Sequence, residues 1–223
     1  MKWVTGEDVA TTELAAAEFI AARLSEAIRT RGRASLAVSG GRTPWSMFAR
    51  LAQQDVAWAR VHLFQVDERI VAADSDERNW KQWLATPLAQ RIPAAAQHPM
   101  PVEQGDPARR YEETLREFCG DPPALDVVHL GIGDDGHTAS LFVGDRLIAE
   151  TTHDVGISAP RFGLRRLTLT LPMLARARCI VWLVLGAARR GAVRQLHAED
   201  RGIAASLVAR DQATVFTDPA AAP

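Results

Sequence analysis

Cysteine is scarce, with only Cys119 and Cys179 in 223 residues. They stand in apolar surroundings 60 positions apart, which fits neither a metal-ligand spacing nor a disulfide framework. A reducing compartment follows as the expectation. Long apolar runs are missing too: Cys179 to Ala188, the longest, has ten residues, about half of the ~20 that a membrane helix needs. Glu7 and Asp8 fall where a signal peptide would carry its apolar core, so no export is expected and the chain reads as soluble and cytoplasmic. No charge of one sign prevails, since 26 basic residues face 27 acidic ones for a net charge of -1. That balance supplies no field for nucleic acid or an anionic membrane surface.

What is present is ordinary globular material, 47% hydrophobic and 24% charged. For a chain of this size, area scaling gives roughly 10,000 Å² of folded surface with about 70% of the extended chain's surface buried. A core of that size needs no disulfide or metal staple. No composition break divides the chain, which reads as one domain over residues 1–223.

Apolar positions at helical spacing predict a first helix over Thr12 to Arg29, capped by Thr11 or Thr12 and ended at Gly32. Apolar runs predict strands at Ala34 to Val38, Val61 to Val66, Leu125 to Leu130, Leu167 to Leu171, Ile180 to Leu185 and Thr214 to Thr217. Helices are expected over Pro44 to Gln53, near Asn79 to Leu84, from Asp106 or Pro107 to Cys119, from Pro172, and over Ala187 to His197. Glu112, Glu113, Arg116 and Glu117 should form the solvated face of the third of these. Pro87 to Pro107 holds five of twelve prolines and should be mostly irregular, with one short strand near Met100. Continuous apolar strands alternating with helices specify an α/β fold: a doubly wound, mostly parallel sheet with helices on both faces, a Rossmann-like three-layer sandwich. Ligands bind such sheets beyond the carboxyl ends of the strands.

Three segments lie at those ends. Ser39-Gly40-Gly41-Arg42-Thr43-Pro44 joins a strand to a helix, so its backbone N–H groups and two hydroxyls can converge on an anion; a tight turn that merely needs glycine is an equally good reading. Asp67-Glu68-Arg69 follows a strand directly and, taken alone, reads as a solvated ion-pair cluster. Gly131-Ile132-Gly133-Asp134-Asp135-Gly136 satisfies the dinucleotide pattern G-x-G-x-x-G, but two carboxylates in the turn and His137 after it argue against a pyrophosphate. The better reading pairs Asp135 with His137, a carboxylate orienting an imidazole for acid–base work. The other five histidines, among them His62, His98 and His129, read as structural.

Together with Thr138-Ala139-Ser140-Leu141-Phe142 after the histidine, and with Arg166-Leu167-Thr168-Leu169-Thr170, these segments resemble the glucosamine-6-phosphate isomerase/6-phosphogluconolactonase family. The segment after His137 resembles the lactonase branch; the deaminase branch typically carries Asn-Glu-Pro there. The resemblance implies hydrolysis of 6-phospho-D-glucono-1,5-lactone to 6-phosphogluconate, the second step of the oxidative pentose phosphate pathway, without metal or organic cofactor. It implies His137 as general base, Asp135 as its orienting partner, Arg69 holding substrate or stabilising charge at the lactone carbonyl, and Asp67 fixing Arg69 or a sugar hydroxyl. Ser39, Gly40, Gly41, Arg42 and Thr43 would form the phosphate cradle, with Arg161, Arg166 and Arg189 as its cationic partners. Arg161 and Arg189 stand where the family usually has lysine, Arg78-Asn79 where it has Ser-Asn, and Val143 where Pro is common. The partner expected is thus a small sugar-phosphate lactone, with oligomeric state left open. An amino-sugar-phosphate deaminase and a non-catalytic sugar-phosphate-binding regulator are the alternatives, with a nicotinamide-dependent dehydrogenase last.

Overall fold

The computed structural model describes residues 1–41, 43–161 and 163–223. Its accessible surface is 9909 Å², close to the scaling value. The chain begins with β1 (Lys2–Thr5), α1 (Val9–Arg31), β2 (Ala34–Val38), α2 (Trp45–Leu51) and β3 (Val61–Gln65). It continues through β4 (Asp67–Arg69), α3 (Asn79–Leu84), α4 (Pro87–Arg91), β5 (Gln97–His98), α5 (Pro107–Cys119) and β6 (Val127–Leu130). The last third holds β7 (Val155–Ile157), β8 (Arg166–Leu169), α6 (Leu171–Ala175), β9 (Ile180–Val184), α7 (Arg190–His197) and β10 (Ala213–Thr217).

Seven strands form a parallel sheet in the order β1-β10-β9-β6-β2-β3-β5. From β2 the chain builds outward through β3 to β5, then returns to the other side of β2 to add β6 and its successors. That reversal opens a crevice beyond the carboxyl ends of β2 and β6, the position where doubly wound sheets bind ligands. Side chains of each strand alternate between two cores. Leu36, Val127, Val181 and Leu183 face α1, α2 and α4. Ala37, Val128, Ile180 and Trp182 face α5, α6 and α7.

Five local expectations need correction. Asp8, not Thr11 or Thr12, caps α1: its Oδ1 accepts from Thr11 N–H at 2.8 Å, and Thr11 Oγ1 accepts in turn from Asp8 N–H. Gly32 does end the helix, at φ 77°. The Leu167 to Leu171 segment does not join the main sheet; β8 lies antiparallel between β4 and β7 in a separate three-stranded sheet. Asp67-Glu68-Arg69 is likewise a strand of that small sheet rather than a charged loop. The proline-rich connection holds α4, with Pro87 at its first turn, and its strand is Gln97–His98 rather than a segment at Met100. Glu112 is buried, not solvated, because its Oε1 accepts from the N–H groups of Asp154 and Val155 at the start of β7.

Burial keeps two histidines neutral. His98 is pushed down to about 4 from 6.5, burial acting first and neighbouring His62 second, and burial alone takes His129 to about 3. The unfolded chain binds these protons near the ordinary pKa of 6.5, so below that pH the unfolded state holds more protons than the native one. Stability is therefore expected to fall between pH 6.5 and 4 and to keep falling toward 3. Urea unfolding midpoints at pH 7 and pH 5 check this, and the double substitution His98→Gln/His129→Gln should flatten the slope.

Candidate active site

A cavity of about 370 Å³ occupies the crevice. Its rim combines the glycine turn after β2, Asp67 and Arg69 of β4, Asn79 of α3, the Gly131–His137 segment after β6, Arg166 of β8, and Arg189 before α7. Most residues singled out in the sequence thus meet at one place. Arg42 lies outside the described residues. Asp135 stands behind His137, and Arg161 stays off the cavity wall.

His137 is held from one side. Its Nδ1 lies 2.5 Å from Asp135 Oδ1, which also accepts from the His137 backbone N–H at 3.1 Å. An anionic partner on Nδ1 selects the Nδ1–H tautomer and leaves the lone pair on Nε2, and Nε2 makes no hydrogen bond among the described residues. Burial tends to raise the Asp135 carboxyl, but the bonds from His137 more than offset it, so its pKa lies below the usual carboxylate value of 3.8. Asp135 is therefore ionised throughout the neutral range.

The close fit explains Gly133. A Cβ there would come within 2.2 Å of His137 Nδ1 and 2.7 Å of Asp135 Oδ1. Gly133→Ala is expected to displace the pair and lower turnover by about ten- to a hundredfold, a misplacement of catalytic geometry, while moving the melting temperature little. Steady-state kinetics beside a thermal melt separates the two effects. The same turn closes on itself, Gly133 N–H donating to the His137 carbonyl and Gly136 N–H to the Gly133 carbonyl. No helix follows to receive a pyrophosphate, so the dinucleotide pattern is a formal coincidence here.

Residues after His137 fix its loop. Thr138 Oγ1 donates to the Gly131 carbonyl at 2.9 Å, and Ser140 Oγ donates to Asp67 Oδ2 at 2.6 Å. Asp67 is thereby bonded to Ser140, and among the described residues it makes no ion pair with Arg69. Arg69 instead reaches the Glu77 carbonyl through Nη1 at 2.7 Å. Between these anchors Ala139, on the cavity wall, takes a left-handed φ of 51°, local strain of the kind that functional loops retain.

Glu68, the middle residue of its motif, is fully buried. Its Oε1 accepts from Arg69 N–H and Asn79 N–H, and its Oε2 from Trp80 N–H and Gln65 Nε2, all between 2.8 and 2.9 Å. Arg78 Nε lies 3.5 Å away. Glu68 thus caps α3, whose own N-cap residue supplies no side-chain bond. Through that cap Asn79 is set against both motifs: its Nδ2 donates to the Asp67 carbonyl at 3.1 Å, and a Cβ on Gly40 would meet its Oδ1 at 2.2 Å.

Cationic side chains occupy two parts of the wall. Arg69 and Arg166 are direct cross-strand partners in the β4–β8 ladder, a like-charge pair offset in part by Glu77, whose Oε2 lies 3.9 Å from Arg69 Nη1. Desolvation, first, and Arg69 lower the Arg166 guanidinium from its ordinary pKa, opposed by Asp67. Arg189 lines the same cavity as the glycine turn. Ser39 contributes less than expected, because its hydroxyl proton is donated to the His129 carbonyl at 2.9 Å. Among the described residues no three His, Cys, Asp or Glu side chains converge as a metal site, and no helix is long and apolar enough to cross a membrane.

The sequence reading gave no site role to Asn79 or His129, both of which line the cavity. Neither ring nitrogen of His129 has a hydrogen-bond partner among the described residues. Asn79 had a signal, its place directly before the apolar face of a helix that follows a charged motif.

Fold and cavity together define a doubly wound α/β protein whose cavity is lined by an imidazole backed by a carboxylate and by arginines from separate parts of the wall. The chain belongs to the family described as glucosamine-6-phosphate isomerases/6-phosphogluconolactonase, which matches residues 7–217. It is 40% identical over 196 residues to a 6-phosphogluconolactonase of Synechocystis sp., covering 81% of this chain and 78% of that one. It is 36% identical over 194 residues to a 6-phosphogluconolactonase of Mycobacterium tuberculosis, covering 80% and 78%. Among solved structures, the 6-phosphogluconolactonase of Thermotoga maritima superposes with a TM-score of 0.83 at 25% identity, over 97% of each chain.

Proposed function

We propose that the chain hydrolyses 6-phospho-D-glucono-1,5-lactone to 6-phosphogluconate, as the second step of the oxidative pentose phosphate pathway, with water activated by His137. The observation that carries this reading is the single cavity in which His137, backed by Asp135, faces the glycine turn and Arg189. The phosphate lies against Gly40, Gly41, Thr43 and Arg189, where backbone N–H groups and a guanidinium suit a dianion. The lactone ring then extends toward Arg69, Arg166 and His137.

His137 Nε2 takes a proton from water as the oxygen attacks C1. Charge that develops on the carbonyl oxygen is met by the Arg69–Arg166 pair, cations already in place before the reaction. When the C1–ring oxygen bond breaks, the imidazolium returns its proton to the departing oxygen. The product leaves with a hydroxyl at C5 and a carboxylic acid at C1, which releases its remaining water-derived proton to solvent and becomes the carboxylate, and His137 is neutral again. Asp135 orients the ring and stabilises its cation without itself being protonated.

The test is turnover of freshly prepared lactone near neutral pH with spontaneous hydrolysis subtracted, beside an assay for ammonia release from glucosamine 6-phosphate. Lactone turnover without ammonia is the expected result. Ammonia release, or 6-phosphogluconate binding without turnover, overturns the assignment.

A further inference from the structure

Phe142 touches more of the proposed machinery than any single motif predicts. The His137 ring stacks on it with centroids 4.7 Å apart and planes inclined by 29°. Arg161 Cζ lies 4.9 Å and Arg166 Cζ 5.7 Å from the same centroid. Both guanidinium distances fall within the ~6 Å range of a cation–π contact. Imidazole and guanidinium groups from three stretches of chain therefore share one aromatic ring, itself only 3% exposed.

The backbone beside Phe142 ties the same parts together. Asp145 N–H donates to the Phe142 carbonyl at 3.0 Å, and Asp145 Oδ2 accepts from Ala159 N–H at 2.7 Å. Ala159 opens the tip of the β7–β8 hairpin, where Arg161 and Leu164 exchange two backbone bonds. Leu141, next to Phe142, is fully buried in the core. The ring is thus fixed at its base and joined by hydrogen bonds to the hairpin that brings the arginines.

We propose that Phe142 is a positioning residue whose ring acts as a common platform, setting the plane of the His137 imidazole and holding Arg161 and Arg166 beside it. This gives Arg161 a role that the cavity wall does not. The platform also gathers two positive charges and the imidazole around one ring. The proposal rests on the lactonase reading for its kinetic consequence but not for its geometry.

Phe142→Leu removes the π face while keeping an apolar side chain, and Phe142→Trp restores a face. The leucine variant is expected to lose about tenfold in kcat/KM, the combined size of two cation–π contacts to partly exposed guanidinium groups, through a lower kcat from the freed imidazole and a higher KM from the freed guanidinium groups. The tryptophan variant should stay within about threefold of the parent, as the contact is preserved. A readout independent of turnover is the proton resonance of His137 Cε1, which the stacked ring shifts upfield; it should move downfield in the leucine variant and not in the tryptophan one. Should the leucine variant unfold early, Phe142→Met fills a similar volume without a π face and serves the same comparison. An unmoved His137 resonance in the leucine or methionine variant overturns the platform. So does a tryptophan variant as impaired as the leucine one at equal thermal stability, because volume and not the aromatic face would then be at work. His137→Ala measured in parallel separates the two readings: retained turnover there removes the general base, while the resonance shift still decides the platform.

Discussion

Replacing His137 by alanine is expected to lower kcat/KM for the phosphorylated lactone by about 10² to 10⁴, the usual contribution of a positioned general base. The fold should survive, because the imidazole is about one-third exposed and its partner Asp135 more than half. A thermal melt close to the parent's, beside rates that approach spontaneous hydrolysis, is the expected pair of results. Asp135→Asn should fall between the two enzymes, since the amide keeps the shape but offers no charge to the imidazolium. A His137→Ala enzyme that turns over lactone at the parent rate would remove the imidazole from the mechanism.

The largest effect on stability is expected at Glu68. Removing its carboxylate strands the N–H groups of Arg69, Asn79 and Trp80, the Gln65 amide and the Arg78 guanidinium in a place closed to water. Breaking a buried charged network by deleting one partner costs ~3–5 kcal/mol. For a chain of this length each kcal/mol moves the melting temperature by about 2–4 °C. Glu68→Ala should therefore melt roughly 10 °C or more below the parent, while Glu68→Gln, which keeps one acceptor, should fall between them. Calorimetry on the two variants checks the order. An alanine variant as stable as the parent would show that water replaces the carboxylate.

These two residues illustrate what could and could not be read from the chain. His137 stood out because it sits among glycines and aspartates at the end of an apolar strand, all within seven residues. β2, α3 and β9 were equally legible, since their apolar spacing and their start and stop residues are local. Glu68 was not, because a run of three charged residues looks solvated until the helix it caps, eleven residues on, folds back upon it. Glu112 failed for a related reason: helical spacing puts it on a polar face, but β7 brings two backbone N–H groups to that face. Phe142 needed a hairpin tip nineteen residues further along before its surroundings existed. The small antiparallel sheet escaped prediction because, although β8 was legible as a strand, its partners β4 and β7 have three residues each, too few for an alternating pattern to register.

The outermost strand of the large sheet has one further implication. Among the described residues β1 pairs only with β10, Lys2 opposite Thr214 and Thr5 opposite Thr217, and Gly6 N–H donates to the Thr217 carbonyl. During synthesis β1 therefore has no strand to dock on until β10 has emerged. Until then the segment stays unpaired, with Trp3 and Val4 open to water between the polar Lys2 and Thr5.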